Sequence, residues 1–160
     1  MSEDKKQKPV DFIKYYVEPH KKISREVNDG DLKRVMKDAH IMYNLCFTQR
    51  GMFPGGFAVA HPQINNEDPL RFFVTCDKEI IINPFIKNHT KTTVNSVEGC
   101  LSYPDRERIT VQRYNKVTVS YQVLSGDGTI SERIEKNLNG QMAKIFQHEI
   151  DHFNGKTIFN

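Results

Sequence analysis

Asn139-Gly140-Gln141-Met142-Ala143-Lys144-Ile145-Phe146-Gln147-His148-Glu149-Ile150-Asp151-His152-Phe153-Asn154-Gly155 is the stretch on which the reading of this chain turns. Met142, Ile145, Phe146 and Ile150 recur at helical steps, and Gly155 is placed to end the helix. His148 and His152 stand four residues apart, so both imidazoles face one cation from the same side. Glu149 lies about 100° around the axis, where it misses that cation but reaches a water on it, as a general base must. A shuffled chain with this content of His and Glu carries the pattern roughly 1% of the time. The bland alternative, two exposed histidines, sits badly with the apolar Ile145, Phe146 and Ile150 beside them.

A catalytic metal site usually takes three protein ligands. The eight residues after His152 contain no His, Asp, Glu or Cys, so a third ligand must lie upstream. Cys100, in Glu98-Gly99-Cys100-Leu101-Ser102, is the best candidate, and a thiolate suits zinc or ferrous iron. A single Cys is more often a small core residue than a ligand, so residue type alone leaves Cys100 open. Cys46, in a helical stripe, and Cys76, in a strand, are read as core residues. His20, His40, His61 and His89 lack a partner at ligand spacing and are read as surface or structural. For His61, a ring pointing to solvent is the favoured reading.

Outward from the metal helix, a second helical stripe runs through Leu32, Val35, Met36, Ala39, Met42 and Tyr43, with Asp29 or Asp31 as its cap and Gly51 just past its end. Arg71–Cys76 reads as a strand, and Glu79–Pro84 as a second, stopped by its proline. Val117, Val119, Tyr121 and Val123 alternate as in a half-buried strand, and Gly126-Asp127-Gly128 turns into a partner near Thr129–Glu135. The order helix, strands, helix reads as α+β. Mixed or antiparallel sheets are expected around a central metal-binding helix, with a further helix towards the N-terminus. One domain over 1–160 accounts for the length, with 1–10 polar and disordered.

Of 160 residues, 38% are hydrophobic and 27% charged, and the formal net charge is +3. That excess is too small to argue for nucleic acid or an anionic membrane. The basic clusters at Lys5-Lys6-Gln7-Lys8 and His20-Lys21-Lys22 read as solvated surface. Three widely spaced cysteines exclude a disulfide framework and favour a reducing compartment. No apolar run reaches the roughly 20 residues of a membrane span, and the polar Met1–Lys6 does not read as a signal peptide. A cytoplasmic protein is the expectation.

Three segments together resemble the peptide deformylase family. Gly56-Phe57-Ala58-Val59-Ala60-His61-Pro62-Gln63 is similar to that family's GxGxAAxQ, Glu98–Ser102 to its EGCLS, and Gln147–His152 to its QHExDH. Their order and spacing fit too, as do Ile82-Asn83-Pro84 and Val111-Gln112-Arg113 between them, and the likeness covers roughly 30–158. It departs at Ala58, where the family has glycine, and at His61, where it has alanine. The short stretch after the metal helix resembles phage-encoded and other minimal members, and speaks against a ribosome contact made through a C-terminal extension.

The resemblance implies removal of the formyl group from N-formylmethionyl nascent peptides, releasing formate. It implies one divalent metal on Cys100, His148 and His152, ferrous iron in most members, with zinc or nickel able to substitute. Glu149 then moves the proton, while the Gln63 amide and the Leu101 backbone N–H face the oxyanion. A peptide would lie as an added strand, with Gly56, Phe57, Ala58, Glu98, Gly99 and Ile145 as its contacts. The implied setting is a monomer passing near the ribosome, without direct nucleic-acid or membrane binding, in host cytoplasm if the chain is phage-encoded. Two other readings compete: a metalloprotease sharing the helix motif, and a non-enzymatic domain stabilised by metal. The second needs a closed four-ligand site, and only three ligands are evident.

Overall fold

Phe72–Thr75 and Ile80–Ile82 are apolar at nearly every position because both of their faces are covered. Side chains alternate across a strand. Phe72, Val74, Ile80 and Ile82 thus pack into one core with Val35, Ala39 and Met42, while Phe73 and Ile81 pack into another with Ile145, Phe146 and Ile150. The computed structural model describes residues 22–48, 58–100, 102–103 and 106–159. The segment 1–10 and Gly51 lie outside them.

The elements are α1 (Leu32–Thr48), β1 (Ala58–Ala60), β2 (Phe72–Thr75), β3 (Ile80–His89), β4 (Thr93–Glu98), β5 (Ile109–Tyr114), β6 (Lys116–Leu124), β7 (Ile134–Asn139) and α2 (Gly140–Phe153). A five-stranded sheet runs β1-β2-β3-β6-β7, and β4 and β5 form a separate hairpin. The class is α+β. Every strand pairing is antiparallel; the parallel contact is an isolated bridge between Arg25 and Leu70. The helices cover opposite faces of the larger sheet.

Four local expectations are corrected. The cap ahead of α1 is Asn28, not Asp29 or Asp31. Its Oδ1 accepts from the Gly30 N–H at 3.0 Å, and Asp31 reciprocates by accepting the Asn28 N–H at 2.9 Å. β3 does not stop at Pro84. The register shifts between Ile82 and Phe85, and Asn83 takes φ 51°, so the missing proline N–H falls in a bulge where the ladder is already broken. The partner of β6 begins later than Thr129. Ile130 makes a single bridge to Leu124, and then the Ser131 hydroxyl takes the Val123 N–H that a ladder carbonyl would have received. Finally, β1, β4 and β5 are strands that the sequence pattern does not show, because they are too short or too polar to alternate. In β4 only Ser96 and Glu98 are buried.

Asn83 ties the bulge to the chain ahead of α1. Its Oδ1 accepts from Val27 N at 2.7 Å, and its Nδ2 donates to Val27 O at 3.0 Å, both buried. Asn also tolerates the left-handed backbone that most residues resist. Asn83→Ala should therefore cost about 3 kcal/mol through two unmade buried bonds and backbone strain. For a chain of this size that is a fall in Tm of about 6–12 °C by calorimetry. An unchanged Tm would show that the clamp is idle.

Candidate metal centre

α2 carries His148, Glu149 and His152 into the space between the large sheet and the β4–β5 hairpin. The helix ends where Asn154 and Gly155 turn back, with Gly155 at φ 75° and its N–H donating to His152 O at 3.2 Å. Cys100 follows β4, and the Tyr103 N–H donates to Cys100 O at 2.9 Å. One ligand atom from each of Cys100, His148 and His152 lies within 4.8 Å of the other two, and all three residues are buried. Among the described residues this is the one such cluster of three. Cys100 Sγ and His152 Nε2 are 3.8 Å apart.

A buried charge system holds the cluster from behind. Arg113 on β5 donates through Nε and Nη2 to the two Glu98 oxygens at 2.9 and 2.7 Å, and through Nη1 to Asp151 Oδ2 at 2.6 Å. Glu98 Oε1 also meets His148 Nδ1 at 2.8 Å, which directs Nε2 away, towards the thiol. Burial pushes the Glu98 carboxyl up, but Arg113 and His148 outweigh it and hold it down at about 2. Burial lowers His148, yet Cys100 and Glu98 raise it to about 10. Gln147 adds a neutral clamp, its Oε1 accepting from Tyr114 N at 2.8 Å and its Nε2 donating to Tyr114 O at 3.0 Å.

Glu149 is 1% exposed, and its Oε2 has no hydrogen-bond partner among the described residues. Burial raises its carboxyl to about 7, against the pull of His148. A buried carboxyl that gains and loses a proton near neutrality suits proton transfer.

Gln63 ends a 3₁₀ turn, His61–Gln63, directly after β1. Its Oε1 accepts from Ala60 N at 2.8 Å, which fixes the amide orientation, and its Nε2 donates to Ser102 Oγ at 3.2 Å. The amide thus faces the loop carrying Cys100. Gly99 is buried beside it. Ala58 and Ile145 line the core facing α2. Gly56, Phe57 and Leu101 lie outside the described residues, as does His20.

Two sequence readings are corrected. The Glu98 side chain is not a peptide contact. It is fully buried, and both its oxygens are taken by Arg113 and His148. His61 does not point to solvent. It is 0% exposed, between Asp38 and the Leu70 N–H. His40 and His89 are exposed, as expected. Cys76 is half-buried, one residue past β2. The sequence pattern assigns no role to Arg113, Gln147 or Asp151. The spacing of Gln147 and Asp151, four apart on the helix, was the signal that both face the hairpin.

The family model for polypeptide deformylase matches residues 7–160. A peptide deformylase from Thermotoga neapolitana is 36% identical over 108 residues, 66% of this chain and 61% of that protein. The match thus spans about three fifths of that relative's length. The crystal structure of peptide deformylase from Thermotoga maritima superposes with a TM-score of 0.70 at 30% identity, covering 86% of each chain. That of a probable peptide deformylase from Synechococcus phage S-SSM7 gives 0.67 at 27% identity, covering 86% of this chain and 89% of the other.

The Glu98 bond to His148 should govern how well the cluster holds a metal. Glu98→Gln removes the charge that orients the imidazole, and affinity for zinc should fall about tenfold to a hundredfold in competition with a chelating dye. Equal affinity in a variant with native circular dichroism would show that His148 is set by other contacts.

Proposed function

The chain belongs to the polypeptide deformylase family, and on that premise we propose that it hydrolyses the formyl group from N-formylmethionyl peptides, releasing formate. The observation that carries this reading is the convergence of Cys100, His148 and His152 beside Glu149. The donor set fits one divalent cation. A tetrahedral ion with Zn–S about 2.3 Å and Zn–N about 2.0–2.1 Å separates sulfur and nitrogen by roughly 3.5 Å, close to the 3.8 Å between Cys100 and His152. Three protein donors leave one position open, the pattern of a catalytic site. Mixed sulfur and nitrogen donors suit ferrous iron, zinc and nickel, and we take ferrous iron as the working ion. When bound, such an ion supplies Lewis acidity and makes a neighbouring water acidic near neutral pH.

The chain's own residues do the rest. Glu149 takes the proton of the attacking water, and its raised carboxyl returns that proton to the departing amine. By the family resemblance, the Gln63 amide and the Leu101 backbone N–H are the donors to the oxygen on which charge develops. β1 is an edge strand, and by the family resemblance a substrate backbone would add along it, with Gly56, Phe57, Ala58 and Gly99 as its contacts. Ala58 and Ile145 form the apolar side of the methionine pocket.

On this reading the chain acts as one catalytic domain over 1–160 and as a monomer. It meets its substrates in the cytoplasm as they leave the ribosome. No helix among the described residues is long and apolar enough to cross a membrane.

Anaerobically prepared protein loaded with iron or nickel should release formate from formyl-Met-Ala-Ser. Glu149→Ala should lower kcat by at least about a hundredfold. Cys100→Ser should lower the metal content that the wild-type chain retains on dialysis. Cleavage of casein with no formate from the formyl peptide would overturn the proposal. Full metal retention by Cys100→Ser would overturn the ligand assignment.

A further inference from the structure

Outside the metal centre, the fully buried His61 has no part in the chemistry above. His61 stands two residues before Gln63, where the resembling segment has alanine. Its ring is held on every side. Nε2 is 2.8 Å from Asp38 Oδ2 on α1, Nδ1 is 2.8 Å from the Leu70 backbone nitrogen, and the ring stacks on Phe72 of β2 with centroids 4.7 Å apart at 25°. The Leu70 N–H can only donate, so Nδ1 receives it through a lone pair and carries no proton. Nε2 therefore bears the ring proton and donates it to Asp38. The imidazole is neutral and locked in one tautomer. Burial pushes its pKa down, against the pull of Asp38, in keeping with that assignment. Arg34, one helical turn before Asp38, approaches the same carboxylate at 3.8 Å.

A three-residue 3₁₀ turn has poor internal hydrogen bonding and takes its position from what its side chains grip. Here the grip is His61. Its backbone carbonyl accepts from Ile64 N and Asn65 N, both at 3.0 Å, which closes the turn around Gln63. Its ring fastens that turn to α1, to Leu70 and to β2 together. The Gln63 amide then spans from Ala60 N to Ser102 Oγ, over the loop that carries Cys100.

We infer that His61, clamped between Asp38 and the Leu70 N–H, is a positioning residue that sets the placement of the Gln63 amide. The inference rests on the deformylase reading for its kinetic consequence only. An alanine at 61 leaves the turn without its tie to α1, and a donor displaced by about 1 Å costs of order a hundredfold in rate. A transition-state donor that is misplaced lowers kcat and leaves KM alone.

In metal-loaded protein, His61→Ala should lower kcat on a formyl-Met peptide about 10- to 100-fold with KM within twofold and metal content unchanged. Asp38→Ala, which leaves the ring in place but releases Nε2, should move kcat the same way by less. His61→Asn, whose Oδ1 falls where Nδ1 accepts from Leu70, should recover part of the loss. In a Gln63→Ala background, His61→Ala should change kcat less than twofold, because it acts through an amide already removed. The side-chain amide resonances of Gln63, assigned by their loss in Gln63→Ala, should shift in both His61→Ala and Asp38→Ala. Full multiplication of the His61 and Gln63 effects would overturn the inference. So would a fall in Tm with kcat unchanged, or Gln63 resonances that stay in place. If the wild-type chain releases no formate, the deformylase reading fails, and the resonances still decide whether His61 positions Gln63.

Discussion

Arg113 is the cation against which the metal centre is built. It lies 8% exposed between Glu98 at the end of β4 and Asp151 on α2, and it joins a hairpin outside the large sheet to a helix packed on that sheet. Nothing covalent places Cys100 near His148 and His152, which are 48 and 52 residues further along the chain. The Arg113 bonds do so, helped by the Gln147 amide gripping both backbone groups of Tyr114. Breaking a buried pair of this kind by removing one partner typically costs 3–5 kcal/mol, since the other charge stays buried. The cost here would also fall on function, because Glu98 is the residue that turns His148.

This explains why Glu98 was misread. As part of an extended segment near the expected peptide it suited a contact role, and its side chain faces the other way. Strand alternation sends Glu98 inward with Ser96, while Val97 between them is 53% exposed. A strand with so few apolar residues shows no alternation in its sequence, so the hairpin that decides which way Glu98 points could not be seen there. The convergence of Cys100, His148 and His152 is legible for the opposite reason. The two histidines sit on one helix whose periodicity is plain, and Cys100 is singled out by the Glu98–Ser102 segment that resembles the family's EGCLS.

The other misreadings have a common physical source. Asn28, Asn83 and His61 satisfy backbone N–H groups with side-chain atoms, at Gly30, Val27 and Leu70. Such bonds join residues up to 56 apart and leave no periodic trace. Polar residues of this kind are read from sequence as turn or surface, because burial of an unpaired polar group is costly. The partner that removes the cost is visible only in three dimensions. The centre of the large sheet, β2 and β3, is easier to foresee, since its apolar runs already require two covered faces.

Those two faces divide the work. The core on one side of β2, β3 and β6 is filled by α1, and the core on the other by α2. α2 carries His148, Glu149 and His152, while α1 carries Asp38, which holds His61 and the turn of Gln63. The two histidines with Glu149, and the turn of Gln63, are therefore tied to opposite layers. The short strand β1 and the turn after it are where they meet, since Ala58 and Ala60 face α2 while Val59 faces α1. A strand one residue out of register would exchange those faces. The three pairs between β1 and β2 hold that register, and the imidazole anchored beside Leu70 and Phe72 fastens the same junction from its other end.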